Sequence, residues 1–340
     1  MTSDNPRIVW ADTMKALSAM MVMLYHASFQ PQVKTISYIL CLPAFFFVAG
    51  WFSNTGLSPV SFFRRKSLRL LIPYVVFGLL SWFLWLGISY APIPGGEERA
   101  KWWLPLIGMI SGKVELLIQN KPLWFLCCMV SVEWLYYGLC VFPQKVVRWT
   151  GGLLIGALGC TLGLFGKTGI WEITAAMTML PLYMIGAEYR TAISERIKAC
   201  SEGMVVLFVV LCCIGVVIGY LFNPEFHIST CQIGNPILFY LSALSVAGLW
   251  MGIAVLMDRQ RLTPRWLQYI GQNTLIILCT HIPLFSLIKG IGMVCHVPLS
   301  FYTTNIGSVA LWAISLILLF PICYCINRFF PFLIGKRTTL

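Results

Sequence analysis

The stretch Asp12–His26 reads DTMKALSAMMVMLYH. It lies inside an otherwise apolar run from Ile8 to Phe29, long enough at about 1.5 Å per residue to cross a hydrocarbon layer about 30 Å thick. The run predicts a membrane helix that carries three ionisable side chains, Asp12, Lys15 and His26. At about 100° per residue, Lys15 and His26 return to within about 20° of each other, and Asp12 lies one turn below Lys15. All three share one face. A charge near the bilayer centre costs at least about 2.5–3.5 kcal/mol, so such residues turn toward the bundle interior and commonly serve a function. Two readings stand beside each other. Either Asp12 and Lys15 neutralise one another while His26 snorkels to the interface, or the three form a functional track. The shared face of His26 favours the second.

Composition agrees with a membrane chain. Of 340 residues, 59% are hydrophobic and 11% charged, with mean hydropathy +0.81, which a soluble domain could not carry without aggregating. The expected class is all-α: a polytopic membrane protein forming a single membrane domain over 1–340 with no appended soluble domain. A net charge of +12 would suggest nucleic acid in a soluble chain. Here it bears on topology and lipid contact, and no nucleic-acid partner is expected. The N-terminus lacks a basic leader followed by a small-residue cleavage site, so the first span is expected to act as its own anchor. Thirteen cysteines show no metal-type spacing, so no metal is expected and most are read as small buried hydrophobes. Cys231 and Cys295 fall in expected outer loops, where a disulfide is chemically possible.

Ten spans are predicted, near 8–29, 37–53, 70–91, 122–142, 149–166, 171–189, 203–222, 234–257, 268–288 and 304–329. The segment Trp102–Ile118 is interrupted by Gly108, Gly112, Lys113 and Glu115, and is read as interfacial or re-entrant. With both termini cytoplasmic, sixteen basic residues fall inside: Arg7; Arg64, Arg65, Lys66 and Arg69; Lys145 and Arg148; Arg190, Arg196 and Lys198; Arg259, Arg261 and Arg265; Arg328, Lys336 and Arg337. Seven fall outside: Lys34, Arg99, Lys101, Lys113, Lys121, Lys167 and Lys289. This matches the positive-inside rule. In that orientation His26 lies near the outer boundary and Lys15 in the inner half.

Further polar residues sit inside apolar segments. Arg64, Arg65, Lys66 and Arg69 form a basic loop, read either as a topology determinant on anionic lipid or as a phosphate site, where arginine's planar fork suits bidentate contact. Glu133 lies mid-span and is expected to pair with a cation such as Lys15. Glu172 is read as interfacial. Asn273 and His281 fall in the ninth span, His281 as a hydrogen-bonded core residue.

Several strings, in order, resemble the acyltransferase family 3, bacterial integral-membrane O-acyltransferases that include fucose 4-O-acetylase-like enzymes. They are a basic residue, ten positions and a histidine (Lys15 to His26); P-x-FFF-x-(S/A)-G (Pro43–Gly50); a basic loop leading to RLLIPY (Arg64–Tyr74); LWFL with Trp124 (Leu123–Leu126); LPLYMIG (Leu180–Gly186); and G-x-NT-L with a downstream H-x-P (Gly271–Pro283). The family's first basic residue is most often arginine. Lys15 keeps the charge without the fork.

The resemblance implies an acyl-CoA donor, most often acetyl-CoA, and a glycan or lipid-linked saccharide acceptor outside, in a multi-pass protein of the bacterial inner membrane. The residues supply a physical version of this, with catalysis expected at His26, Lys15 and Asp12, donor-phosphate binding at Arg64, Arg65 and Arg69, and Glu133, Trp124, His281 and Asn273 as further candidates. His26 would act as general base or as a transient acyl carrier. The alternatives are a proton-coupled secondary transporter, which predicts an inverted repeat that the sequence does not display, and a non-catalytic glycan-export partner.

Overall fold

The computed structural model describes residues 8–27, 30–89 and 101–336. Arg7, Arg99 and Arg337 of the charge count, and the ends of two expected spans (28–29 and 90–91), lie outside the described residues. The described helices, in order, begin with α1 (Val9–Ala27), α2 (Pro31–Cys41), α3 (Pro43–Trp51), α4 (Pro59–Phe62) and α5 (Leu68–Ser89). Then come α6 (Leu104–Ser111), α7 (Trp124–Leu139), α8 (Lys145–Leu164), α9 (Ile173–Glu188) and α10 (Arg190–Ala199). The last are α11 (Glu202–Phe222), α12 (Pro236–Arg259), α13 (Arg265–Gln272), α14 (Thr274–Val294) and α15 (Asn305–Phe329). No strand occurs among the described residues.

Nine helical segments, counted among the described residues, are long and apolar enough to cross a membrane. With α1 they account for the ten expected spans. The nineteen residues of α1 include Asp12, Lys15 and His26, which keep it out of that apolar set. The outward faces carry large apolar side chains, as at Leu207 (59% exposed), Leu221 (61%) and Ile317 (68%). Exposed apolar surface on that scale suits hydrocarbon rather than water. The protein is an all-α polytopic membrane protein.

Two expected spans are broken, and for stated reasons. The second parts into α2 and α3 at Leu42, because Pro43 has no N–H to donate and its ring crowds the carbonyl four residues back, although Leu42 itself keeps a helical backbone (φ −87°, ψ −37°). Carbonyls in the last turn of α2 take other donors: Trp250 Nε1 to Leu40 O at 2.8 Å and Cys41 Sγ to Tyr38 O at 3.1 Å. The ninth parts into α13 and α14 at Asn273, whose Nδ2 donates to Tyr269 O at 2.8 Å. Asn273 therefore ends a short helix instead of lying within a span. The segment Trp102–Ile118 holds only the eight-residue α6, stopped by Gly112 at φ 67°. No spanning helix forms there.

The chain divides into two compact units. The first comprises 1–53, 181–227 and 233–274, the second 54–180, 228–232 and 275–340. The boundary at Pro181 falls inside α9, and that after Thr274 falls beside the Asn273 break. In the first unit α1 packs against α2, α3, α12 and α13, and α11 packs along α12. In the second, α5 and α8 both pack on α7.

Candidate active site

In the first unit α1 is the buried element, and backbone approach fixes its position. An alanine Cβ at Gly271 of α13 would lie 1.9 Å from the Asp12 carbonyl oxygen, so only glycine lets α13 sit this close. The pair Gly50 of α3 and Gly186 of α9 works the same way. A Cβ on Gly50 would meet Tyr183 O at 1.9 Å, and one on Gly186 would meet Phe47 O at 2.1 Å. Small residues at helix crossings allow such packing in membranes, where lipid supplies no hydrophobic drive between helices. The glycines at Gly50, Gly186 and Gly271 are thus packing devices.

On α1, Lys15 Nζ lies 2.6 Å from Asp12 Oδ1, with side-chain exposures of 24% and 11%. Asp12 stands in the first turn, where the helix dipole favours a carboxylate, and His26 stands in the last. Eleven residues separate Lys15 from His26, about 16 Å along the axis. The charged pair and the imidazole therefore address different parts of any molecule lying along this face. His26 is partly exposed, and its ring stands edge-on to Tyr25, with centroids 4.8 Å apart. Tyr25 in turn meets Tyr38 of α2 at 4.8 Å, and Tyr38 meets His227 at 4.8 Å. An aromatic series thus runs from the end of α1 to a second histidine in the α11–α12 loop. Burial holds the His227 imidazole below its ordinary value, against the opposing pull of Glu225. Sequence reasoning passed over His227. Its signal was a histidine in the loop NPEFH, on the side where His26 was expected.

The second unit holds the basic loop and the remaining candidates. Phe63–Ser67 forms a π-helical turn, a geometry uncommon outside functional sites. Arg64, Arg65 and Arg69 are exposed. Lys66 turns inward, its Nζ 3.5 Å from Glu133 Oε1, and Trp134 Nε1 donates to Ser67 Oγ at 2.8 Å. Glu133 pairs with a cation as expected, but that cation is Lys66; Lys15, the example named, pairs with Asp12. The turn divides its charges, one lysine anchoring it to α7 while arginines stay available to solvent.

Trp124 is buried at the start of α7 and packs edge-on to Phe125 at 5.9 Å. His281 is fully buried, its Nδ1 2.8 Å from Ile277 O, as a core histidine should be. Three buried polar residues were underread. Asn120 Nδ2 donates to Ser81 Oγ at 2.9 Å and to Cys279 O at 2.8 Å. Gln119 is buried with neither side-chain polar atom hydrogen-bonded among the described residues. Glu172, expected at an interface, is fully buried and accepts from Val114 N at 2.8 Å. Both Trp171 and Glu172 take positive φ (56° and 48°), which costs of order 1–3 kcal/mol per residue. No helical or strand periodicity announces such a turn. Cys231 and Cys295 are free thiols, the first buried and the second exposed. Burial, with Glu172 next in effect, pushes the Cys231 thiol up to about 12. That protonated thiol is a poor partner for disulfide exchange.

The family model described as an acyltransferase domain matches residues 8–328. The chain belongs to acyltransferase family 3. No curated protein and no solved structure matches it. The match covers α1 through α15 except its last residue, so every candidate named above lies within it. The protein is therefore a membrane acyltransferase.

Proposed function

We propose that this acyltransferase moves an acetyl group from cytoplasmic acetyl-CoA to a hydroxyl of a glycan or lipid-linked saccharide at the outer face of a bacterial inner membrane, with both termini cytoplasmic. The observation that carries the reading is α1 itself, where a close Asp12–Lys15 ion pair and a partly exposed His26 lie on one helix inside an acyltransferase-family match. Arg64, Arg65 and Arg69 bind the donor's phosphates through charge-assisted hydrogen bonds. Lys15, held by Asp12, presents its charge about 16 Å along α1 from His26.

The imidazole of His26 takes the proton of the acceptor hydroxyl as its oxygen attacks the thioester carbonyl. The C–O bond forms, the C–S bond breaks, and the proton passes from the imidazolium to the departing CoA thiolate. Products are the O-acetyl glycan and free CoA. The imidazole must be neutral to begin, so transfer falls as His26 becomes protonated. Mass spectrometry of surface glycans from cells with and without the gene tests the reading. A mass difference of one acetyl group on an otherwise exported glycan is expected. Loss of the glycan from the surface, with no change in its acylation, would overturn it in favour of an export partner.

A further inference from the structure

A groove of about 730 Å³ lies within the first unit, bounded by α9, α10, α11 and α12 with Phe47 of α3. That size is within the roughly 300–1,000 Å³ of small-ligand sites. Its lining is almost wholly apolar. Three wall residues, Met204, Phe208 and Leu244, are also 52%, 40% and 43% exposed, so the groove opens sideways toward the hydrocarbon that bathes α11. Its floor is made of small residues. Gly248 and Gly252 of α12 lie under the Phe208 ring, where a Cβ on Gly248 would meet Phe208 Cζ at 2.8 Å.

One end is different. Ala192, Ile193, Arg196 and Ile197 of α10, with Cys200 just past its end, line the groove, a spacing that makes one helical stripe. Arg196 is exposed, and its guanidinium is the one charged group in an otherwise apolar lining, free to meet an anion at the groove's end. No described carboxylate forms an ion pair with Arg196. The helix that carries it is fixed in place: Arg259 of α12 donates to Ile197 O, and Arg190 Nη1 donates to Trp51 O at 3.4 Å. The result is a chain-sized apolar slot, open to the bilayer, with the exposed Arg196 at one end on a helix tied to its neighbours.

We propose that this groove holds an acyl chain of an anionic glycerophospholipid from the surrounding bilayer, with the lipid phosphate on Arg196. Apolar walls and a lateral opening select a lipid tail over a soluble metabolite. The single uncompensated cation selects an anionic headgroup, because a zwitterionic one brings its own ammonium to the site.

Native mass spectrometry of the full-length protein, equilibrated with phosphatidylglycerol or phosphatidylethanolamine of equal chain length, reads the occupancy. Wild type is expected to retain one phosphatidylglycerol roughly tenfold more tightly than phosphatidylethanolamine, the scale of one charge-assisted contact. Six-carbon chains are expected to bind more weakly than long ones. Arg196→Gln removes the headgroup preference and Ala192→Trp, at an exposed position, blocks the slot; each is expected to lower retention about tenfold. Ala192→Leu, a smaller change, is expected to reduce retention partly in a protein that still inserts. Lys198→Gln, a cation on the same helix outside the groove, is expected to leave retention unchanged. The proposal is overturned by a wild-type protein that keeps no phospholipid, by equal retention of both headgroups, by full retention in both Ala192 variants, or by Lys198→Gln acting as strongly as Arg196→Gln. Retention of a prenyl phosphate or of acyl-CoA in place of phospholipid would overturn it as well.

Discussion

Replacing Gly271 by alanine adds one methyl group at the point where α13 touches α1. That methyl would lie 1.9 Å from the Asp12 carbonyl oxygen and 2.6 Å from its carbon, both backbone atoms, whereas real Cβ contacts essentially never fall below 3.0 Å. No side chain can swing aside, so α13 must retreat by at least about 1 Å in a close-packed interior. Overpacking of this kind costs about 1–3 kcal/mol, and it falls on the residue that holds Lys15. Gly271→Ala is expected to lower the midpoint of thermal unfolding in lipid nanodiscs and to reduce acyl transfer with it, since Asp12 and Lys15 shift together. Gly290→Ala is the control, at a helical glycine with nothing within 4 Å of the added methyl; it is expected to be neutral or stabilising by up to about 1 kcal/mol. A Gly271→Ala protein as stable and active as Gly290→Ala would refute the packing argument.

Lys66→Met leaves Glu133 as an unpaired buried carboxylate and is expected to destabilise by about 3–5 kcal/mol, more than the double variant Lys66→Met/Glu133→Gln, as thermal unfolding of both reads out. Burial lowers the His227 pKa below its ordinary value of 6.5, so the unfolded chain binds the proton more readily and stability rises with pH. His227's contribution is complete above about pH 6.5 and is lost as pH falls toward its folded value. His227→Gln should flatten that slope in unfolding measured from about pH 7 to 5. Neutralising Arg64 or Arg65 is expected to raise the KM for acetyl-CoA roughly tenfold with little change in kcat, the effect of losing one charge-assisted contact.

How far the sequence could be read follows from which physics each residue expresses. Apolar runs impose helices on lipid-exposed segments regardless of context, so α11 and α15 were legible from hydropathy alone. The shared face of Asp12 and Lys15 was legible because a helix fixes side-chain direction within a turn, and the pair closes at 2.6 Å. Partners between helices were not. Glu133 meets Lys66 instead of Lys15 because the π-helical turn at Phe63–Ser67 rotates one lysine inward, and that turn has no periodic signature. Glu172 was misplaced because its burial depends on a left-handed backbone at Trp171–Glu172, which tertiary packing imposes against local preference. Asn273 was read into a span because the apolar stretch continues past it; the break arises where its side chain caps α13. His227 was missed because its link to α1 runs through Tyr38 and Tyr25, a series that only the fold assembles.

On the proposed mechanism, His26 carries the proton and acetyl-CoA is the donor. The most direct measurement is transfer of labelled acetyl from acetyl-CoA to glycan acceptor by purified protein in liposomes, comparing wild type with a His26→Ala protein shown to be inserted at the same level. Wild type is expected to transfer acetyl, and the variant to lose about 10²–10⁴-fold, the contribution of a positioned general base. Transfer by His26→Ala at the wild-type rate would contradict that mechanism.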